Sequence, residues 1–428
     1  MLPARNLKMA GILLLFCAGL VYYHLALLRP ASLSYWSSQG RGNGFAFGTD
    51  LYPLWLTSRA LFRNHADPYS PEMTAEIQRG LFGREMDPGN PDDPPRDYRT
   101  FSYPLYADYF LLPFVGVSFE KLRLGAVVVL ALITAGTVLF WLRALGLRFS
   151  AMQKLVAVVL VLTSYYALEA LYAEQIGLLV ACFLAAGIWC IREQKFAWAG
   201  LWLALATMKP QVSALLIAGI LIWAISQWSE RRSLIVSFIA SIVGLYAASE
   251  GLHRGWLPEW LHVLWHYRDY GTPPLTHFLC GRSGGLFLSA ALCGAVAIAW
   301  LRVRHEPAFS RRLRAVTAAT LAVTAVALLS AQAVYDQLIL LPAVLLLINS
   351  RVGVWQGPVR LRIVALLTVT ALAWPWVLGS AVTAAALILS PARIRHSILA
   401  LRLPLYSAYV FPFLLLALLW MARKEIEN

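Results

Sequence analysis

Charged residues are scarce in this chain, which argues against a soluble protein. They account for 14% of the 428 residues, and 59% are hydrophobic, whereas a soluble domain is about one-quarter charged and about half apolar. Apolar stretches of about 17–25 residues, long enough to cross a bilayer core, recur from end to end between short polar breaks. We therefore predict an all-α polytopic membrane protein in which residues 1–428 form one transmembrane domain within the lipid bilayer.

Cysteine is also rare, and metal-binding motifs are missing. The five cysteines show neither a disulfide framework nor the paired spacing of a metal site. Four histidines occur in residues 251–284, among them His253 and His277, but none forms a zinc motif with a supporting acid. Tryptophans in the same loop, such as Trp256 and Trp260, favour anchoring at the membrane interface instead. We expect no metal and no cofactor.

Nucleotide-binding motifs are missing as well. The sequence contains no GxxxxGK[ST] loop and no GxGxxG motif after a strand, so nothing prepares it to bind a nucleotide. The formal net charge of +14 would suit a nucleic-acid partner. Its basic residues are scattered over short loops and form no continuous face, so we expect no nucleic acid to bind.

The basic residues indicate the topology instead, because short positively charged loops stay in the cytoplasm. The strongest cluster lies at residues 302–314. With these loops inside, we predict about twelve spans. Residues 363–390 could form one long span or two short ones hinged at residues 374–376, and the basic tail at Arg423 and Lys424 favours one. The predicted spans are 8–29, 124–142, 155–171, 176–191, 196–208, 211–228, 233–250, 285–301, 315–331, 337–349, 363–390 and 404–421. The segments then expected to face outward are 30–102, 172–175, 209–210, a second outer loop at 251–284, and 332–336.

The first outer loop, residues 30–119, is predicted to carry interfacial helices and a hairpin. An amphipathic helix should begin at Asp50 and lie on the membrane, with Leu54 and Leu61 on its apolar face. Residues 103–119 are apolar but broken by prolines, which favours an interfacial or re-entrant hairpin near a site. Asp50 is either a helix cap or a general base held at the boundary between water and lipid.

Three further polar breaks interrupt apolar spans on the same predicted face: Glu174-Gln175, Lys209 and Tyr335-Asp336. The breaks at 174 and 335 could be simple turns, and Lys209 could be a snorkelling side chain. Ionisable groups at membrane depth are costly, however, and usually face a cavity or a partner. The positive-inside rule does not call for a lysine on the outer side, so Lys209 is a candidate ligand for a lipid phosphate.

The run from Asp50 to Tyr69, with the pattern D-x4-W-x3-R-A-L-x6-P-Y, resembles the first-loop signature of glycosyltransferase family 87, in the membrane-embedded GT-C class. Two elements differ: the family's Tyr-Pro-Pro-Leu is shortened by one proline, and its Gln-x-Asn has Gly177 in place of the asparagine. Over about residues 45 to 345, the further matches follow in the family's order. They are Tyr103-Pro104-Leu105 with Pro113, then Gln175, Ala199-Gly200, Lys209-Pro210, Tyr335-Asp336 and Leu341-Pro342.

The resemblance implies a GT-C-type bundle and an inverting transferase. It would move a hexose, mannose in known members, from a polyprenyl-phosphate carrier to a glycolipid or glycan acceptor, on the outer or periplasmic face of the cell membrane and without a nucleotide. Asp50 would be the general base, and Lys209, Arg282 and His277 would bind the donor phosphate. The implied substrate-binding residues are Trp55, Tyr103, Glu174, Gln175, Tyr335 and Asp336.

A polytopic transporter or lipid flippase is the main alternative, because it also needs polar groups inside a helix bundle. Such proteins usually carry internal repeats, and none is evident in this sequence. The large outer loop also suits the positioning of two substrates better than it suits alternating access. A non-catalytic partner in an envelope complex is the second alternative, and Asp50 would be dispensable in such a protein.

Overall fold

The computed structural model describes residues 4–427 with the exception of 43, 45, 88, 91, 92, 94–97, 271 and 309. In this part of the chain all regular secondary structure is helical, and an isolated antiparallel bridge joins Pro274 to Ser330. The predicted all-α class is therefore confirmed.

The amino-terminal half begins with a helix that contains a π-helical turn, Tyr23–Leu28, and it holds two 3₁₀ helices, Leu105–Phe114 and Ala206–Met208. Its α-helices are α1 (Ala4–Tyr22), α2 (Arg29–Ser38), α3 (Leu51–Asn64), α4 (Pro71–Phe82), α5 (Phe119–Ala144), α6 (Ala151–Leu162), α7 (Tyr165–Ala173), α8 (Gly177–Arg192) and α9 (Phe196–Leu205).

The carboxy-terminal half holds two more 3₁₀ helices, Val334–Leu340 and Leu403–Leu405. Its α-helices are α10 (Pro210–Ile225), α11 (Trp228–Leu252), α12 (Trp256–Tyr270), α13 (Leu275–Val303), α14 (Arg311–Ala327), α15 (Leu341–Asn349), α16 (Arg351–Gln356), α17 (Val359–Leu389), α18 (Pro391–Arg395), α19 (Ile398–Arg402), α20 (Ser407–Met421) and α21 (Arg423–Glu427). The single helix α17 confirms that residues 363–390 are not two hinged segments.

Length and composition qualify six helical segments of the described chain as membrane spans. These are Met9–Ser38, Phe119–Ala144, Trp228–Leu252, Leu275–Val303, Val359–Leu389 and Ile398–Met421. The pair α6 and α7, bent by 61°, makes a seventh if it is one span, and α8, α9 with its 3₁₀ extension, α10 and the segment Val334–Asn349 are shorter apolar helices. The predicted number of about twelve spans is thus not confirmed.

Local sequence explains why the shorter helices stop where they do. Helix α7 ends at Ala173 because Glu174 takes the left-handed conformation, with φ of 57°. Helix α10 begins with Pro210, whose fixed φ suits a first helical turn. Helices α9 and α11 pack closely at Gly200, where a Cβ atom would lie 2.3 Å from the carbonyl oxygen of Leu234. These breaks and close contacts set the positions of the polar residues between the helices.

The apolar face of α3 is covered by protein, which corrects the expectation that this helix lies on the membrane. Leu54 and Leu61 are 3% and 1% exposed, and α3 packs against the 3₁₀ helix Leu105–Phe114. The hydroxyl of Ser58 donates to Asp108 Oδ1 at 2.7 Å, and complete burial raises the pKa of Asp108 to about 8. This hydrogen bond ties α3 to the segment predicted as a hairpin, in which residues Leu105–Phe114 form a 3₁₀ helix.

Hydrogen bonds join three of the basic loops at one end of the helix bundle. Arg192 donates to the carbonyl oxygen of Arg143, and Arg314 donates to that of Leu145. Helices α8, α9 and α10 run from this basic end to the opposite end, where α7 stops and the 3₁₀ helix Ala206–Met208 lies. The interruptions of the bundle thus lie away from the basic loops.

Candidate active site

Asp50 lies directly before α3, but its side chain does not cap that helix. It is 9% exposed, and both carboxylate oxygens accept hydrogen bonds from other segments. Arg99 Nη1 donates to Oδ1 at 2.6 Å, and Gln175 Nε2 donates to Oδ2 at 2.5 Å. The carboxylate therefore points away from the helix start and into a polar cluster, so the cap interpretation does not describe it.

The backbone around Asp50 is fixed to the end of α7. The amide of Gly48 donates to the carbonyl oxygen of Tyr172 at 2.9 Å, and the amide of Asp50 donates to that of Ala173 at 3.0 Å. These carbonyls belong to the last turn of a helix and have no partner within it. Gly48 has a φ of 79°, which glycine adopts without steric cost. The same turn that ends α7 thus holds the Asp50 backbone in place.

Lys209 lies on the other side of Gln175. Its Nζ donates to Gln175 Oε1 at 3.1 Å and to Asp336 Oδ1 at 2.7 Å, and it lies 4.9 Å from the ring centroid of Tyr335. Lys209, Gln175 and Asp336 are each at most 5% exposed. Gln175 therefore joins the Asp50 and Lys209 side chains, and four distant segments of the sequence meet in one buried cluster.

Gly177 leaves room for the Lys209–Asp336 ion pair. A Cβ atom at this position would lie 2.5 Å from Asp336 Oδ1 and 3.4 Å from Lys209 Nζ. A separation of 2.5 Å is too short for a carbon atom next to a carboxylate oxygen, so any larger side chain would displace the acid. The glycine that stands where the family pattern has asparagine is thus explained by the position of Asp336.

Comparison with known protein families agrees with this geometry. The family model of glycosyltransferase family 87 matches residues 101–331, just over half of the chain. The chain belongs to glycosyltransferase family 87. It is therefore a multi-pass membrane glycosyltransferase. Searches of curated proteins and of solved structures found no match.

The region matched to family 87 contains Gln175 and Lys209 but neither of the two carboxylates that they bind. Asp50 precedes the matched residues and Asp336 follows them. Hydrogen bonds to Gln175 and Lys209 bring both acids into contact with the matched region. The cluster is thus a property of the folded chain and not of the matched segment alone.

Glu174 is buried beside this cluster in the family 87 protein. It is 1% exposed, and neither carboxylate oxygen has a hydrogen-bond partner among the described residues. A Cβ atom at Gly48 would lie 2.9 Å from Glu174 Oε2, so the acid is packed against the backbone that leads to Asp50. Burial raises the pKa of Glu174 to about 8, against a smaller lowering effect of the Arg123 charge.

The variant Glu174→Gln should change how stability depends on pH. Because its pKa is raised from 4.5 to about 8, Glu174 keeps its proton in the folded state while the unfolded chain ionises. Stability should therefore fall as pH rises from about 4.5 to 8 and then level off. Thermal midpoints of the detergent-solubilised protein from pH 5 to 9 should show this fall for the wild type but less of it for Glu174→Gln. Parallel curves would contradict the prediction, and the exposed Glu72→Gln is the control.

Trp55 lies in α3 and Tyr103 lies just before the 3₁₀ helix Leu105–Phe114, both within the first outer loop. Trp55 Nε1 donates to the carbonyl oxygen of Val117 at 3.0 Å. The carbonyl oxygen of Tyr103 accepts from the Tyr69 hydroxyl at 2.9 Å, and its ring packs against Phe101. Both residues shape the segment between α3 and α5, and their roles in substrate binding stay predictions.

Arg282 and His277 lie on α13. The Arg282 side chain is exposed, and the His277 ring packs against Gly285 of the same helix. Among the contacts of the described residues, no hydrogen bond or ion pair joins either side chain to Asp50 or Lys209. The structure thus supports Lys209, but not these two residues, as part of the cluster.

Sequence reasoning missed Arg99, the cation paired with Asp50. Arg99 is 23% exposed and takes a left-handed φ of 65°. It lies 49 residues from Asp50 in the chain, and no spacing rule connects positions so far apart in a loop. No pattern in the sequence could have identified it.

A second buried group of charges, also missed, lies beside Tyr172. His24 Nε2 lies 3.1 Å from Glu169 Oε1, and Arg29 forms an ion pair with the same carboxylate. The Arg29 guanidinium stacks on the Tyr172 ring at 4.2 Å. A π-helical turn brings His24 and Arg29, five residues apart, to one acid. Ionisable residues inside apolar spans were a detectable pattern here.

Proposed function

We propose that this protein transfers a hexose, with mannose as the first candidate, from a polyprenyl phosphate to a lipid-linked or envelope glycan acceptor. Transfer would invert the anomeric configuration and take place on the outer face of the membrane, with Asp50 as general base. The observation that carries the proposal is the joining of Asp50 and Lys209 through the Gln175 side chain. A carboxylate that can accept a proton and a cation that can bind a phosphate are thus separated in space by a single side chain, that of Gln175.

The chemistry needs both groups. The acceptor hydroxyl would donate its proton to Asp50 as its oxygen bonds to the anomeric carbon, and the bond from that carbon to the phosphate oxygen would break. The phosphate leaves with an added negative charge, which a preorganised cation stabilises. An ammonium group has three donors, and Lys209 uses two of them on Gln175 and Asp336. Among the described residues the third donor has no hydrogen-bond acceptor, and in this proposal it binds a phosphate oxygen.

Asp50 already accepts two hydrogen bonds at the position where it would act as a base. Arg99 and Gln175 each donate to one of its carboxylate oxygens, so an acceptor hydroxyl would use a remaining lone pair or displace one donor. Gln175 is buried and held by Lys209, whereas the Arg99 side chain, which also donates to the carbonyl oxygen of Gly44, is 23% exposed. Arg99 is therefore the partner that we expect to move. Glu174, Tyr335 and Asp336 would hold sugar hydroxyls or the base.

Two observations support a lipid donor on the outer face. The chain has no nucleotide-binding motif, and its polar cluster lies at the end of α8, α9 and α10 opposite the basic loops. Basic loops remain on the cytoplasmic side. Helices also occur at each of the twelve predicted spans, so we infer a GT-C-type bundle of about twelve spans, some of them short.

A transfer assay tests the proposal. Purified protein in nanodiscs would receive polyprenyl-phosphate mannose or polyprenyl-phosphate glucose with envelope glycolipids, and a parallel reaction would receive nucleotide sugars. We expect a glycolipid product only from a lipid-linked donor, with the anomeric configuration opposite to that of the donor. Transfer from nucleotide sugars alone, or retention of configuration, would refute the proposal. Movement of the lipid across vesicles without any transfer would favour a flippase.

A further inference from the structure

Three potential metal ligands converge outside the Asp50 cluster. They are Asp67 in the loop after α3, His253 at the end of α11, and Glu259 in the first turn of α12. His253 Nε2 lies 2.6 Å from Glu259 Oε2 and 3.5 Å from Asp67 Oδ1. The three ligand atoms all lie within 4.8 Å of one another, although Asp67 and His253 are far apart in the sequence.

The charges of this group do not balance. Among the ion pairs of the described residues, Asp67 and Glu259 pair only with His253. One imidazole carries at most one positive charge, so it cannot balance two carboxylates. The group therefore has an excess of negative charge, which a divalent cation would offset. Its side chains are 19–41% exposed, so an ion and its remaining water ligands can reach them.

We propose that Asp67, His253 and Glu259 bind a divalent transition-metal ion, for which Zn²⁺ is the reference probe. One imidazole nitrogen and two carboxylate oxygens are a ligand set that zinc accepts at about 2.0–2.2 Å, with water in the open position. His253 would bind through Nε2 as the neutral ring, so its present contact with Glu259 would give way to the metal and any Nε2 proton would be released. Two ligand atoms at about 2.1 Å from a tetrahedral metal lie about 3.4 Å apart. The His253–Glu259 separation of 2.6 Å would therefore widen, whereas the His253–Asp67 separation of 3.5 Å already fits.

The position of the site suggests a role in holding the outer loops together. Next to Asp67, the Tyr69 hydroxyl donates to the carbonyl oxygen of Tyr103 at 2.9 Å. Next to Glu259, Trp260 Nε1 donates to the carbonyl oxygen of Ser102 at 3.0 Å. Residues on both sides of the site thus hydrogen-bond to one short segment, residues 102–103, which follows Arg99 in the chain. A bound metal would clamp α12 and the loop after α3 around it.

Zinc binding to the purified chain tests this site without any measurement of transfer. His262 and His266 are four residues apart on α12, with ring centroids at 4.2 Å, and such a pair can bind zinc by itself. The test therefore uses the His262→Gln/His266→Gln background, stripped of metal by a chelator. Equilibrium dialysis should then give one Zn²⁺ per chain, and the thermal midpoint should rise with zinc concentration.

Matched variants decide the outcome. Asp67→Asn and His253→Gln in that background should each lose the bound zinc and the thermal shift, whereas Asp87→Asn, in the same outer loop, should keep both. If a variant does not fold, zinc-edge X-ray absorption of the background protein should show one imidazole with oxygen ligands. No bound zinc, zinc retained in folded His253→Gln, or a spectrum with sulfur or two imidazoles would overturn the site. None of these results bears on the transferase proposal.

Discussion

Replacing Asp50 by asparagine should lower the rate of glycosyl transfer by about 10²- to 10⁴-fold, because the general base is lost. Asparagine has nearly the same shape, and its oxygen can still accept from one of the two present donors, Arg99 or Gln175. Its NH₂ group would then face the other donor. We therefore expect a modest loss of stability, about 1–3 kcal/mol for one unmet buried group, and a folded protein.

The measurement is the initial rate with a labelled polyprenyl-phosphate sugar, together with the thermal midpoint of each variant. Asp50→Glu keeps the carboxylate but moves it by one methylene, so it should retain more activity than Asp50→Asn. Asp87→Asn, a carboxylate of the same outer loop outside the cluster, should transfer at the wild-type rate. A folded Asp50→Asn protein that keeps wild-type transfer would show that another group takes the proton.

Sequence reasoning identified most of the cluster because placing ionisable side chains within apolar segments costs free energy. Glu174, Lys209 and Asp336 are ionisable groups at breaks in apolar segments, and such groups are retained when they face partners. The alternation of apolar spans and basic loops also placed the three breaks on one side. Their burial and the contacts of Lys209 with Gln175 and Asp336 fit that reasoning.

Other features depend on contacts that the sequence does not encode locally. An apolar stripe on α3 predicts burial of Leu54 and Leu61, but lipid and protein would bury them equally well. An aspartate before a helix suits a cap, and only its partners Arg99 and Gln175 show where the side chain points. The proposed metal ligands Asp67, His253 and Glu259 belong to three different elements, so no spacing motif exists for them.

The number of spans was uncertain for a related reason. Hydropathy marks where a chain is apolar, but it does not indicate whether a helix is straight, bent or short. The 61° bend between α6 and α7 and the 3₁₀ helix Ala206–Met208 interrupt segments that are apolar throughout. These interruptions bring the polar residues together, so the features that obscure the topology also build the candidate site.

Removing the charge of Lys209 alone should destabilise the protein by about 3–5 kcal/mol, because Asp336 would remain buried without its cation. Lys209→Gln and Asp336→Asn should each show a loss of this kind. The double variant replaces the ion pair by two amides that can bind each other, so its loss should be smaller than the sum of the single losses. The exposed pair Arg79 and Glu85, at 3.4 Å, is the control, and glutamine at either position should change stability by about 0–1 kcal/mol.

The double variant also separates structure from function. If Lys209 only neutralises Asp336, then Lys209→Gln/Asp336→Asn should regain transfer together with stability. We expect stability to return and transfer to stay low, because the cation that binds Gln175 would no longer be present to receive the phosphate charge. The measurements are a double-mutant cycle of unfolding free energies and the transfer rate of each variant. Recovery of wild-type transfer would assign the phosphate to another cation, and Arg99, already in contact with Asp50, would be the next to test.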